Sequence, residues 1–120
     1  DWIFQLMPRL AERRKQLAGT LSGGEQQMCA IARGIMGKPK LLMLDEPSLG
    51  LAPIVVEQVF DILLKLREKG TTVFFVEQFV EQSLGISQRG YLLEDGRIVL
   101  EEDSRAMLGN DYINQVYLGT

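Results

Sequence analysis

Residues 41–47 of the chain read Leu-Leu-Met-Leu-Asp-Glu-Pro. The first four residues form an unbroken apolar run, which is typical of a strand buried on both faces of a parallel sheet. Polar residues follow at once, so the strand is predicted to end at Asp45 and Glu46. A second apolar run, at 72–76, is predicted to be another buried strand and also ends in polar residues.

A long amphipathic helix is predicted between these two strands. Pro53 stands at a favoured first helical position, the apolar residues after it have helical spacing, and Gly70 closes the segment. Strand, helix and strand in this order indicate a parallel pair joined by a right-handed crossover. The fold class is therefore predicted to be α/β.

The flanking segments predict further helices and one hairpin. The chain begins with a helical pattern that extends to about residue 17 and is interrupted at Pro8, and a second helix opens at Ser22. Asp95-Gly96 between two short strand patterns is a strong hairpin signal. One or two short helices are predicted to finish the chain.

Composition excludes several kinds of site. The 120 residues carry a formal net charge of -3, with no histidine and one cysteine, so imidazole ligands, imidazole bases and an internal disulfide are excluded. A mildly acidic chain does not attract phosphate backbones, so nucleic acid is not an expected partner. No apolar run approaches the roughly 18 residues that span a bilayer, and direct membrane insertion is not expected.

The first candidate site is Leu-Ser-Gly-Gly-Glu-Gln at 21–26. Ser22 and Glu25 have the spacing of a capping box, which satisfies backbone N–H groups at a helix start. This interpretation leaves the two glycines unexplained, because a glycine inside a helix costs up to about 1 kcal/mol relative to alanine. A bare helix N-terminus also suits phosphate. The spacing alone leaves both interpretations open.

The second candidate site is the strand end at Asp45 and Glu46. Ligands of open parallel sheets bind beyond the carboxyl ends of the strands, and adjacent strand residues point to opposite faces. An aspartate at this place is suited to Mg²⁺ beside phosphates, and the next glutamate to orienting or deprotonating a water molecule. The alternative is that two acids simply end a strand at the solvent.

The two motifs together resemble the ABC ATPase family, in which they are the signature sequence and the Walker B strand with its catalytic glutamate. Their order and their separation by one helix both agree. The resemblance implies the C-terminal part of a P-loop (RecA-like) ATPase domain, with residues 1–20 as the end of its helical subdomain and 21–120 as part of the ATPase core. Residues 48–53 are similar to the D-loop.

The resemblance also implies roles for single residues. The implied residues are Glu46 and Gln78 for catalysis, Asp45 for Mg²⁺, and Ser22, Gly23, Gly24, Glu25 and Asp45 for ATP. Two positions depart from the family pattern, since the common D-loop aspartate is Ala52 and the switch histidine is Gln78. A glutamine still hydrogen-bonds a phosphate oxygen or water, but it carries no positive charge.

Several segments are more narrowly similar to the ATP-binding subunits of branched-chain amino-acid importers, namely residues 45–53, 76–78, 89–94 and 117–119. This similarity implies two partners: a second ATP-binding subunit, identical or related, and transmembrane permease subunits. It implies a cytoplasmic protein, peripheral on the inner face of the plasma membrane through those permease subunits.

One family motif does not occur in the chain. There is no G-x-x-x-x-G-K-[ST] loop, which supplies the phosphate cradle in this family. We therefore expect the C-terminal half of an ATPase that is active in the intact protein and inactive alone. Two alternatives stay open: an inactive fragment that self-associates through exposed sheet edges, and an ABC-type ATPase of DNA repair or chromosome architecture, which the acidic charge and the hairpin disfavour.

Overall fold

The computed structural model describes residues 2–119, and the chain divides into two compact units, with the boundary in the sequence between Glu77 and Gln78. The elements of the first unit are, in order, α1 (Trp2–Leu6), α2 (Pro8–Glu12), a 3₁₀ turn (Ala18–Thr20), α3 (Gly23–Ile35), β1 (Leu41–Asp45), α4 (Pro53–Glu68) and β2 (Thr72–Val76). The strands β1 and β2 pair in parallel, with Leu41 opposite Thr72 and Asp45 opposite Val76. The predicted strand, crossover helix and parallel strand are therefore confirmed.

Burial in the first unit alternates along the strands. Leu42 is buried, and Phe75 on the same face of the sheet packs edge-on against Phe60 of α4 at a centroid distance of 6.1 Å. The core is completed by apolar residues of the helices, which include Met28, Ile31, Ile35, Val59, Leu63 and Leu66.

The predictions that β1 is buried on both faces and that β2 is a buried strand are wrong for this structure. Met43 is 64% exposed and Phe74, opposite it on β2, is 49% exposed, and their neighbours Leu41 and Val76 are exposed as well. An apolar run indicates that a strand suits burial on two faces, but it does not supply the second cover. Here α4 contacts one face, and the other forms an apolar surface that we call the open face, made of Leu41, Met43, Phe74 and Val76.

The first helical segment ends earlier than predicted, at Glu12 rather than near residue 17. Leu10 is buried, but the next apolar side chain, Leu17, is 78% exposed. Short helices depend on packing of an apolar face, and residues 13–16 offer no apolar side chain to the core. The chain therefore leaves the helix after α2.

The second unit contains the predicted hairpin. Its elements are α5 (Val80–Ile86), β3 (Arg89–Glu94), β4 (Arg97–Asp103), α6 (Ser104–Leu108), α7 (Asp111–Ile113) and a π-helical turn (Asn114–Leu118). Asp95 and Gly96 have φ values of 48° and 76°, as a two-residue type I′ turn requires. Leu84, Met107 and Ile113 form the core of this unit. Among residues 2–119, no helix has the length and apolar character to cross a membrane.

Two tyrosines of the second unit donate to the same carboxylate oxygen, Glu94 Oε1, from Tyr112 Oη at 2.6 Å and Tyr117 Oη at 2.5 Å. The bond to Glu94 raises the pKa of Tyr117 to about 12. Because the folded chain holds this proton more tightly than the unfolded chain, the interaction stabilises the fold fully below the ordinary tyrosine pKa of about 10. The stabilisation is lost as the pH rises to about 12.

We expect the ionisation of Tyr117 to be visible in an ultraviolet absorbance titration. The difference between wild type and Tyr117→Phe should have a midpoint at about pH 12 in the folded protein. In concentrated guanidinium chloride the same difference should move to about pH 10. A midpoint of about 10 in the folded protein would contradict the hydrogen bond to Glu94.

Candidate functional site

The start of α3 has the capping box that the sequence predicts. Ser22 is the N-cap residue, and its Oγ accepts a hydrogen bond from the Glu25 N–H at 3.2 Å, while Glu25 Oε1 accepts from the Ser22 N–H at 3.1 Å. The first intrahelical bond runs from Gln26 N–H to Ser22 O. The N–H groups of Gly23 and Gly24 lie ahead of that bond, at the positive end of the helix.

Gly24 has a packing role that the sequence does not reveal. It is buried, and a Cβ atom at this position would lie 2.5 Å from Val55 Cγ1 of α4 and 3.2 Å from Val55 Cγ2. Gly23 is different, since a Cβ there would meet only Leu51 Cδ2 at 3.9 Å. Close helix packing therefore accounts for Gly24 within the chain, and approach of a ligand is not needed to explain it.

The carboxylate of Glu25 contacts the Ser22 backbone N–H through one oxygen and two arginine side chains through the other. Besides the capping bond, Glu25 Oε2 lies 3.7 Å from Arg13 Nε and 3.9 Å from Arg9 Nε. The backbone N–H of Ser22 is the main cause that lowers the pKa of Glu25, and the two guanidinium groups add to it. Glu25 therefore stays ionised near neutral pH and closes the capping box at the start of α3.

The end of β1 places Asp45 and Glu46 at the carboxyl edge of the parallel pair. Asp45 is exposed, and Glu46 is half-buried. Glu46 has a left-handed φ of 47°, which costs a residue with a side chain about 1–3 kcal/mol and persists only where the surroundings enforce it. Its N–H donates to Val76 O at 2.8 Å, so the last residue of β2 holds it.

The residues after Glu46 are held by two side chains from distant parts of the first unit. Gln27 Nε2 of α3 donates to Pro47 O at 2.6 Å. Glu77 Oε1, directly after β2, accepts from Ser48 N–H at 2.9 Å and from Ser48 Oγ at 2.6 Å. We call residues 46–48 the acidic turn. The contact with Gln27 joins the predicted helix start and the predicted strand end within one compact unit.

The contacts of Gln27, Ser48 and Glu77 were not predicted from the sequence, although Ser48 lies in the segment that is similar to the D-loop. Each lies beside a motif residue, but its contact partner is 20 or 29 positions away. The other predicted catalytic residue, Gln78, is exposed and begins the second unit.

Asp45 at this edge could supply one of the ligands of a Mg²⁺ ion, but not a complete coordination shell. In the described part of the chain, no group of three or more histidine, cysteine, aspartate or glutamate side chains gathers to hold a metal ion. Mg²⁺ in phosphoryl-transfer sites is usually bound by one or two carboxylates, with substrate phosphates and water completing the shell. An exposed Asp45 at the carboxyl edge fits that requirement.

Two curated relatives of the chain are both branched-chain amino acid transport ATP-binding proteins. BraG of Pseudomonas aeruginosa, a high-affinity branched-chain amino acid transport ATP-binding protein, is 56% identical over 119 residues, which are 99% of this chain and 51% of BraG. LivF of Archaeoglobus fulgidus, a probable branched-chain amino acid transport ATP-binding protein, is 39% identical over 120 residues, 99% of this chain and 51% of LivF. The chain thus spans about half the length of these relatives.

Solved structures and a family model agree. The ADP conformation of an ATP-binding cassette of an ABC transporter matches with a TM-score of 0.80 and 28% identity, covering 98% of this chain and 48% of that one. The nucleotide-free form of an ATP-binding cassette matches with a TM-score of 0.80, 27% identity and the same coverage. The ABC transporter family model matches residues 3–49, which include the start of α3 and the acidic turn. The predicted α/β fold is confirmed, and the chain is similar over nearly its whole length to ABC transporter ATP-binding proteins.

Proposed function

We propose that the chain is the C-terminal half of the ATP-hydrolysing subunit of an ABC importer. One observation carries the proposal: Gln27 Nε2 of α3 donates to the Pro47 carbonyl at 2.6 Å, so that a capped helix and a strained acidic turn are directly hydrogen-bonded to each other. The first of these elements suits a phosphate group, and the second suits a metal-assisted attack by water.

The start of α3 is proposed to bind the γ-phosphate of an ATP molecule held by a second ATP-binding subunit. Ser22 and Gly24 would contact that phosphate, and Gly23 contributes its N–H at the same helix end. Glu25 takes part by fixing Ser22 through the capping box. The packing of Gly24 against Val55 supports this role as well, because it keeps the helix start in one place.

The acidic turn, with Asp45 before it and Gln78 after β2, is proposed to carry the hydrolytic chemistry. Asp45 would hold Mg²⁺, which neutralises the phosphate charge. Glu46 would orient the attacking water and accept its proton. Gln78 would hydrogen-bond the γ-phosphate or the water through its side-chain amide. The proposed division of the chain is residues 1–20 as the end of a helical subdomain and 21–120 as part of the ATPase core.

The transported substrate is proposed to be a branched-chain amino acid. The names of BraG and LivF support this class. The partners would be a second ATP-binding subunit and transmembrane permease subunits, which would place the protein on the cytoplasmic face of the plasma membrane.

The proposal is tested with the protein expressed from its full natural reading frame, which we call the full-frame protein. We expect it to release phosphate from ATP, and we expect EDTA to stop the release because Mg²⁺ is required. When the full-frame protein is assembled with its permease subunits in vesicles, the rate of ATP hydrolysis should rise on addition of a branched-chain amino acid as the transported substrate. The proposal would be refuted if no phosphate were released, or if EDTA did not reduce the release.

A second candidate function, for the 120 residues taken alone, is self-association. The open face presents Met43 and Phe74 to solvent, and each strand of the β1–β2 pair has an unpaired edge. Apolar faces and free strand edges favour pairing with a second copy.

The change that tests self-association is Met43→Lys together with Phe74→Lys. We expect light scattering of the 120-residue chain to report dimers or larger species, and the double variant to shift the distribution towards monomer because two charges oppose burial of the open face. Leu17→Lys is the matched control, since Leu17 is exposed outside the sheet. A monomeric wild-type chain at high concentration would argue against self-association.

A further inference from the structure

The acidic turn is held in a conformation that it does not favour by itself. Glu46 has a φ of 47°, a region that side chains other than those of glycine, asparagine and aspartate seldom adopt. The Glu46 carbonyl also accepts a hydrogen bond from Leu49 N–H at 3.1 Å, which closes the turn locally. Contacts from outside the turn must supply the rest of the restraint.

One external contact is made by the carboxylate of Glu77. Its Oε1 accepts two hydrogen bonds from one residue, from Ser48 N–H at 2.9 Å and Ser48 Oγ at 2.6 Å. Ser48 is only 1% exposed. Hydrogen bonds to an ionised acceptor are shorter and stronger than neutral ones, and shelter from water removes the competing solvent bonds.

Val76 and Glu77 together hold both ends of the acidic turn. Val76 O accepts from Glu46 N–H at the start of the turn, and Glu77 accepts from Ser48 at its end. Because these two residues are consecutive, the end of β2 is a single support for the turn. Gln27 adds a third restraint, from α3, at Pro47 O.

We propose that Glu77 is a positioning residue for Glu46. This proposal rests on the proposed function, in which Glu46 orients the attacking water. Glu77 accepts two hydrogen bonds from Ser48. These bonds stabilise the left-handed backbone conformation of Glu46 and so fix the direction of its side chain. Reacting groups must be held closely, since a misplacement of about 1 Å costs about 10²-fold in rate.

The first test measures hydrolysis by the full-frame protein carrying Glu77→Ala. We expect kcat to fall by about 10–100-fold while KM for ATP changes by less than about 3-fold, because the loss concerns the transition state rather than binding. Glu77→Gln should recover most of the activity, because an amide oxygen still accepts both Ser48 bonds. Glu81→Ala is the matched control, an exposed glutamate on α5 that should leave kcat unchanged.

A purely structural role would lower the melting temperature without changing kcat of the folded protein. The positioning role is overturned if Glu77→Ala retains kcat within about twofold of wild type. It is also overturned if Glu77→Gln is as slow as Glu77→Ala, since the accepting oxygen would then not be the cause.

A second measurement does not depend on hydrolysis. Amide hydrogen exchange should speed up at Ser48 in Glu77→Ala and less so in Glu77→Gln, whose neutral amide oxygen still accepts the bond, while Glu81→Ala keeps wild-type protection there. If the wild-type full-frame protein hydrolyses no ATP, the proposed function fails, and this exchange measurement alone judges Glu77. Unchanged exchange at Ser48 in Glu77→Ala would then overturn the positioning role.

Discussion

Glu46→Gln in the full-frame protein is expected to lower kcat for ATP hydrolysis by about 10²–10⁴-fold, the usual contribution of a general base. The amide has nearly the same shape as the carboxylate, but it does not accept a proton from water at neutral pH. ATP binding should be preserved, because the proposed phosphate and Mg²⁺ contacts come from Ser22, Gly24 and Asp45. Phosphate release and binding of a fluorescent ATP analogue measure the two effects separately.

The control for this change is Glu57→Gln, which removes an equal charge from an exposed position on α4. We expect it to leave both hydrolysis and binding unchanged. Wild-type turnover in Glu46→Gln would remove Glu46 from the catalytic role. Loss of binding together with hydrolysis would instead indicate that Glu46 contacts the nucleotide.

Gly24→Ala is expected to destabilise the folded chain by about 1–3 kcal/mol, the usual cost of overpacking a tight contact. The new Cβ would lie 2.5 Å from Val55 Cγ1, and a β-branched side chain has few alternative rotamers on a helix. Each kcal/mol corresponds to a loss of several degrees in the melting temperature of a domain of this size. Thermal unfolding followed by circular dichroism measures the change.

Gly23→Ala is the matched control for this experiment. Its Cβ would meet only Leu51 Cδ2 at 3.9 Å, an ordinary contact, and Gly23 does not have a positive φ. We therefore expect Gly23→Ala to be neutral or to stabilise the chain by up to about 1 kcal/mol, the usual gain from replacing a helical glycine. Adding Val55→Ala to Gly24→Ala should recover part of the loss that Gly24→Ala causes. Equal stability of Gly23→Ala and Gly24→Ala would contradict the packing role of Gly24.

Local patterns were sufficient to predict the order and type of the main elements. The apolar runs before Asp45 and Glu77, with an amphipathic helix between them, specify the parallel pair. The pair Asp95-Gly96 specifies the hairpin, because its two positive φ values suit a type I′ turn. Ser22 and Glu25 specify the capping box from their spacing alone.

The remaining features depend on contacts between distant residues. A glycine is needed at position 24 because Val55, 31 positions later in the sequence, packs against it. No local sequence pattern indicates this contact. The bond between Ser48 and Glu77 spans 29 positions. The open face was also not predictable, because an apolar run shows that a strand suits burial and does not show what covers it. The motifs of the candidate site were therefore predictable from the sequence. The contacts between distant residues that hold those motifs in place were not.

The decisive measurement is a structure of the full-frame Glu46→Gln protein with ATP and Mg²⁺ bound. The assignments predict that Asp45 contacts Mg²⁺ directly or through one water molecule. They also predict that Ser22 Oγ and the Gly24 N–H lie about 3 Å from the γ-phosphate of the ATP held by the second subunit. A nucleotide bound away from both the start of α3 and the acidic turn would contradict them.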